Sequence, residues 1–209
     1  GMLSPELKEE ITLQLLPKSF TRTSRHFAYL SPSKGYMVIN TASAKVADEF
    51  TSYLRKTIGS LPIRLPVVKK APSAVMTHWV TNDSSLPDNL TIGYECELTS
   101  TGEEKGSIKY KGLELDQEQI EQQIQSGMEV TKLAVEWQEN VTFMLGSDLT
   151  IKRIKFGDVL QDQLDDANAE DAASAFDAGF AIMTLEFDRL IPDVLDAFGG
   201  EDTTAIIEA

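Results

Sequence analysis

Residues 130–156, VTKLAVEWQENVTFMLGSDLTIKRIKF, decide the fold. With a period of two they form three strands: Leu133, Val135 and Trp137 fall on one face of the first, and Lys132, Ala134 and Glu136 on the other. Val141, Phe143 and Leu145 repeat the pattern against Thr142 and Met144. In the third strand, strict alternation groups Ile154 and Phe156 with Lys152 and sends Arg153 and Lys155 to the opposite face with Ile151. The turn residues Gln138-Glu139-Asn140 and Gly146-Ser147-Asp148 make antiparallel neighbours the simplest connection. One face can bury a core while the other carries cations. Such a face is either ordinary solvated surface or a surface for an anion.

Upstream, Leu7, Ile11 and Leu15 have helical spacing, ended by Pro17. Residues 20–30 and 36–39 read as a hairpin around Ser31-Pro32-Ser33-Lys34-Gly35. Asn40 is placed to cap a helix with apolar positions Val46, Phe50, Leu54 and Ile58, and Gly59 to end it. Residues 61–68 are extended and interrupted by Pro62 and Pro66, and residues 71–80 form a short helix. After the polar loop 82–89 come strands at 90–99 and 107–111, the second with Lys109 and Lys111 on one face and Tyr110 on the other. A helix over 115–126 has Asp116 as cap and Leu115 as staple. Beyond the meander, residues 180–185 read as a last strand, and Asp188 caps a final helix that tolerates Pro192 in its first turn. The sum is an α+β fold, antiparallel β-sheets with helices packed against them. Its expected parts are a basic helix/hairpin/helix segment at 2–82 and a β-meander with an acidic helical tail at 90–209, or one continuous domain.

The net charge of -14 conceals an asymmetry. Residues 157–209 hold 14 acids against one base, Arg189, whereas residues 11–82 hold ten bases against Asp48 and Glu49, a net of +8. A chain so divided can meet a polyanion with one part while the other limits unwanted contacts. No apolar run approaches the ~18 residues of a membrane span. The single Cys96 allows no intrachain disulfide, so a cytoplasmic location is expected.

Neither G-x-x-x-x-G-K nor G-x-G-x-x-G occurs, and His26 and His78 are the only histidines. His78 beside Trp79 reads as a partly buried structural pair. Asp162, Asp165, Asp166, Glu170 and Asp171 form the one dense carboxylate set from which a metal-dependent nuclease could draw, but such runs are more often solvated faces. No enzyme activity, cofactor or small-molecule substrate is expected.

Five segments in order and spacing, LLPKSFTR (15–22), TASAKVADE (41–49), LRKTIGSLP (54–62), VTKLAVEWQ (130–138) and IKRIKFGD (151–158), resemble the recombination-associated RdgC family. The resemblance implies a cytoplasmic or nucleoid-associated, sequence-nonspecific binder of duplex DNA that restrains the RecA recombinase and dimerises into a ring around the duplex. An exonuclease label is also attached to the family, whose members are not established nucleases. Lys18, Arg22, Arg55, Lys56, Lys132, Lys152, Arg153 and Lys155 match the family's basic positions. Lys109 and Lys111 lie in a matching basic loop, although Gly112 and Leu113 replace polar or basic residues there. Phe20 matches an aromatic at a subunit contact; by itself, a Phe opening a strand reads more simply as core. Family members carry a further portion before the point matching Met2, so this chain is expected to be a fragment or a short relative, with ring closure open. The competing expectation is a protein-interaction or regulatory module that has lost DNA binding and works through its acidic tail.

Overall fold

The computed structural model describes residues 4–20, 23–102, 106–112, 117–166 and 172–204. Among them are six α-helices and two antiparallel sheets, of two and five strands, making an α+β fold as expected. The chain divides into two compact units, Gly1–Gly59 and Ser60–Ala209. The loop 82–89, where a boundary was expected, therefore lies inside the second unit. The cause is α3 (Pro72–Thr81), which buries Met76, Trp79 and Val80 and packs on the large sheet.

In the first unit, α1 (Pro5–Leu15) starts at Ser4, whose hydroxyl accepts from the Leu7 N–H at 3.3 Å. Pro17 falls in the single 3-10 turn, Leu16–Lys18, that ends it. β1 (Ala28–Ser31) pairs with β2 (Tyr36–Ile39) as the expected hairpin. β1 begins at Ala28 and not at Phe20, because Thr23, Ser24, Arg25 and His26 offer no apolar row to pack. The cap of α2 (Ala44–Ile58) is Ser43, not Asn40, and Gly59 ends the helix in the left-handed region at φ 83°. The described side chains of this unit are half-buried at most.

The second unit is built on a sheet in the order β4-β3-β5-β6-β7, from β3 (Leu90–Ser100), β4 (Ser107–Lys111), β5 (Met128–Trp137), β6 (Val141–Gly146) and β7 (Ile151–Phe156). All neighbours are antiparallel, so the expected meander supplies three of the five strands. Residues 61–68 add no strand beyond an isolated bridge from Val68 to Glu201; Pro62 and Pro66 remove ladder donors. α4 (Gln117–Gln125) is where a helix was expected, but its proposed cap Asp116 and staple Leu115 lie outside the described residues.

One sheet face buries Leu98, Val130, Leu133, Val135, Trp137, Val141, Phe143 and Leu145. Each such side chain is worth about 1.5–3 kcal/mol against exposure, so this face decides which way every strand turns. Thr77 of α3 is fixed over it, its hydroxyl accepting from the Val130 N–H at 2.8 Å and donating to the Ser73 carbonyl at 2.7 Å. Trp79 stacks on Phe198 with ring centroids 5.3 Å apart, and His78 beside it is exposed, not partly buried as expected.

After α5 (Asp158–Asp166), α6 (Ala172–Ala197) is one continuous helix, which overturns the strand expected at 180–185 and the cap expected at Asp188. A short apolar run serves strand and buried helix alike. The three- and four-residue spacing of buried Phe187, Leu190 and Val194 selects the helix. Pro192 consequently sits in the helix interior, where its missing N–H does cost a helical hydrogen bond.

A polar clasp joins α6 to the sheet. Asp193 Oδ2 accepts from Trp137 Nε1 and from Asn89 Nδ2, both at 2.8 Å. Arg189 lies 5.3 Å from the Trp137 ring centroid and donates to Gln138 Oε1. Gln138 and Glu139, at φ 49° and 56°, turn β5 into β6 without a glycine, so this ligation steadies a strained turn. Replacing Asp193 by Ala strands a buried indole N–H and an amide, and should cost about 1–3 kcal/mol in urea denaturation. An unchanged midpoint would show that Asp193 does not hold α6 to the sheet.

Candidate nucleic-acid interface

Two one-residue bulges determine what the other sheet face displays. In β5, Lys132 pairs with Glu97 while Val130 pairs with Leu98, leaving Thr131 as an extra residue. Strict alternation from Met128 and Val130 would turn Lys132 inward. The bulge lets Val130 and Leu133 both reach the core and puts Lys132 on the open face.

In β7, Lys155 pairs with Thr142 and Lys152 with Met144, so Arg153 and Ile154 together oppose Phe143, with Arg153 at φ 55°. This corrects the faces expected from alternation. Ile151 and Phe156 share the core face, and Lys152 and Lys155 share the open one, because the inserted residue shifts the parity between them. β4 adds Lys109 and Lys111, opposite Glu97 and Glu95 of β3, with Tyr110 turned the other way as expected.

The open face thus gathers Lys109, Lys111, Lys132, Lys152, Arg153 and Lys155 with Glu95, Glu97, Glu129 and Glu136, a net of +2. Glu97 binds two of the cations, Lys132 Nζ at 2.9 Å and Lys109 Nζ at 3.2 Å. Glu95 binds Arg153 Nη1 at 3.1 Å. Lys111, Lys152 and Lys155 make no ion pair with the described residues. The hydrogen bond from Arg153 holds the Glu95 carboxyl below the ordinary value of 4.5, with the charges of Lys111 and Lys109 adding to it. Burial pushes Glu97 up, and the bonds from Lys132 and Lys109 outweigh it, so that carboxyl too lies below 4.5. Burial also raises the Cys96 thiol to about 11, which leaves it unreactive on the core face.

The remaining expected site residues lie elsewhere. Lys18 is exposed in the 3-10 turn after α1, and Arg55 and Lys56 are exposed in the last turn of α2, where cations also favour the helix dipole. All three belong to the first unit, and Arg22 lies outside the described residues. Phe20 is fully exposed, so it is not core within this chain. Glu95 and Glu97 were not singled out from the sequence, although the alternation Glu95-Cys96-Glu97 against Lys109-Tyr110-Lys111 is a cross-strand charge signal. Among the described residues no group of three or more His, Cys, Asp or Glu could hold a metal ion. The side chains of Asp165 and Asp166, and residues Glu170 and Asp171, fall outside them.

A family model described as "Putative exonuclease, RdgC" matches residues 4–201. The chain belongs to the RdgC family. It is 41% identical over 198 residues to the recombination-associated protein RdgC of Pseudomonas fluorescens, a match covering 95% of this chain and 64% of that protein. The protein of the same name from Aeromonas hydrophila is 43% identical over 196 residues (94% of this chain, 64% of the relative). That from Psychromonas ingrahamii is 43% identical over 197 residues (94% and 65%). The chain therefore spans slightly less than two thirds of the length of these RdgC relatives.

The Glu97 ion pairs make a pH-dependent contribution of definite sign. A depressed folded-state value means stabilisation that is present above the unfolded value near 4.5 and lost as pH falls through the folded one. In an NMR titration Glu97 should titrate below 4.5, and Lys132→Met should raise its midpoint. A midpoint that ignores the substitution would show that Lys132 does not stabilise the carboxylate.

Proposed function

We propose that this chain is the part of an RdgC-type protein that binds duplex DNA without reading its sequence. By occupying the duplex it takes part in recombination and restrains a RecA-type recombinase, as a cytoplasmic, nucleoid-associated homodimer and not as an enzyme. The observation that carries the reading is the collection of six cations on one sheet face. Lys and Arg contacts to phosphates position a protein on DNA but carry no base information. Asn and Gln, which pair with adenine edges, occupy none of the strand positions on this face. Lys18, Arg22, Arg55 and Lys56 are proposed as further phosphate contacts and the exposed Phe20 as the self-association contact. The names of the relatives support the link to recombination.

A second reading, a protein-interaction module, draws on Phe176 and Phe180, which stack at 5.9 Å and are exposed on α6 in the acidic part of the chain. Mobility-shift titration of a mixed-sequence duplex separates the two. Five or six phosphate contacts give a slope of log K against log salt of about -5. Changing Lys111, Lys152 and Lys155 together to Glu should flatten that slope by about 0.9 for each phosphate no longer neutralised and weaken binding by more than about tenfold, with circular dichroism unchanged. A salt-independent affinity, or no binding at low salt, would overturn the DNA reading and favour the interaction module. Loss of the DNA only when a divalent metal is added would point to a nuclease.

A further inference from the structure

We propose that Glu95 and Glu97 are built-in competitors for phosphate: they hold Lys109, Lys132 and Arg153 in reserve and set how tightly the sheet face grips a polyanion. The inference rests on the DNA-binding reading and deepens it. β3 runs between β4 and β5, so Glu97 stands between Lys109 of the one and Lys132 of the other, while Glu95 is reached by Arg153 from β7. Glu97 is recessed, its side chain 16% exposed, whereas Lys109 and Lys132 are 68% and 43% exposed. An approaching strand therefore meets the ammonium groups first, with the carboxylate fixed beneath them. Glu95 bears the same relation to Arg153, at 28% against 55% exposure.

Two functional classes of cation result. Lys111, Lys152 and Lys155, with no ion pair among the described residues, can meet phosphates without breaking one. Lys109, Lys132 and Arg153 must exchange a carboxylate oxygen for a phosphate oxygen before they contribute fully. The ammonium and guanidinium ends of these pairs stay exposed, so phosphate can reach and displace them, but each exchange subtracts from the affinity. Removing both carboxylate charges would take the face from +2 to +4 without altering a single cation. The device thus limits a sequence-independent grip that would otherwise be tighter and slower to release.

The test compares duplex binding by the full chain, Glu97→Gln, Glu95→Gln and Glu136→Gln in mobility-shift titrations at several salt concentrations. Glu136 lies on the same face with no ion pair among the described residues, so its substitution changes the charge equally and releases no cation. Glu97→Gln should bind about tenfold more tightly at low salt and steepen the slope by up to about 1.8, roughly 0.9 for each lysine released. Glu95→Gln should steepen it by about 0.9, and Glu136→Gln should leave the slope unchanged. Thermal melting confirms that each variant is folded, and Glu95→Gln reports independently should Glu97→Gln fail to fold. Wild-type binding with unchanged or weaker Glu97→Gln and Glu95→Gln binding overturns the restraint and leaves the DNA reading standing. A gain of the same size in all three variants also overturns it, since net charge would then suffice. No binding by any of the four proteins overturns both readings, whereas binding gained only on removing Glu97 or Glu95 supports the restraint in its strongest form.

Discussion

Side-chain parity is the constraint on which the second unit depends. A strand sends successive side chains to opposite faces, so one inserted residue exchanges everything beyond it between core and solvent. β5 and β7 each contain one such insertion, at Thr131 and at Arg153-Ile154. Without the first, Val130 and Leu133 could not both be buried; without the second, Ile151 and Phe156 could not both face the core. The cation face follows from the same steps, because the residues between the apolar ones have nowhere else to go. Arg153 lies in the left-handed region, which costs a non-glycine residue about 1–2 kcal/mol. The bulge that demands this conformation is also what lets Ile151 and Phe156 both pair with core-facing residues of β6.

The two faces draw on different physics. On the core side, burial supplies most of the stabilisation, and a few polar bonds fix the register of α3 and α6 on the sheet: Thr77 to Val130, and Asp193 to Trp137 and Asn89. Arg189 is the only base in residues 157–209, and it is engaged at the β5–β6 turn, where it covers Trp137 and binds Gln138. The acidic tail is thereby left with no cation to offer a polyanion. On the open side, Lys109, Lys132 and Arg153 pair with carboxylates that are less exposed than they are.

The first unit has a different character. Its helices and hairpin are correctly capped and paired, yet none of its described side chains is buried, and Leu13, Leu15, Leu16, Phe20 and Phe27 are exposed. Local signals such as Ser4, Ser43 and Gly59 suffice to form such elements, because capping bonds and left-handed glycines need no distant partner.

The sequence by itself determined the parts governed by local periodicity and turn chemistry: the three-strand meander, α2 and its terminal Gly59, α3, the strand pair carrying Lys109 and Lys111, and the α+β class. Its five collinear segments also carried the family resemblance, since spacing across a whole chain is far more specific than any short motif. Only the tertiary structure decided that residues 180–185 are helical, because a short apolar run fits either element until Phe187, Leu190 and Val194 are seen to share one buried face. It alone placed Lys152 and Lys155 side by side, since a bulge is a response to burial across several strands and leaves no mark in the alternation of one. For the same reason the ion pairs of Glu95 and Glu97 are tertiary facts. Register sets Glu97 opposite Lys109 and Lys132 and is fixed by the apolar residues on the far side of the sheet, whereas Arg153 reaches Glu95 from β7, a strand not bonded to β3.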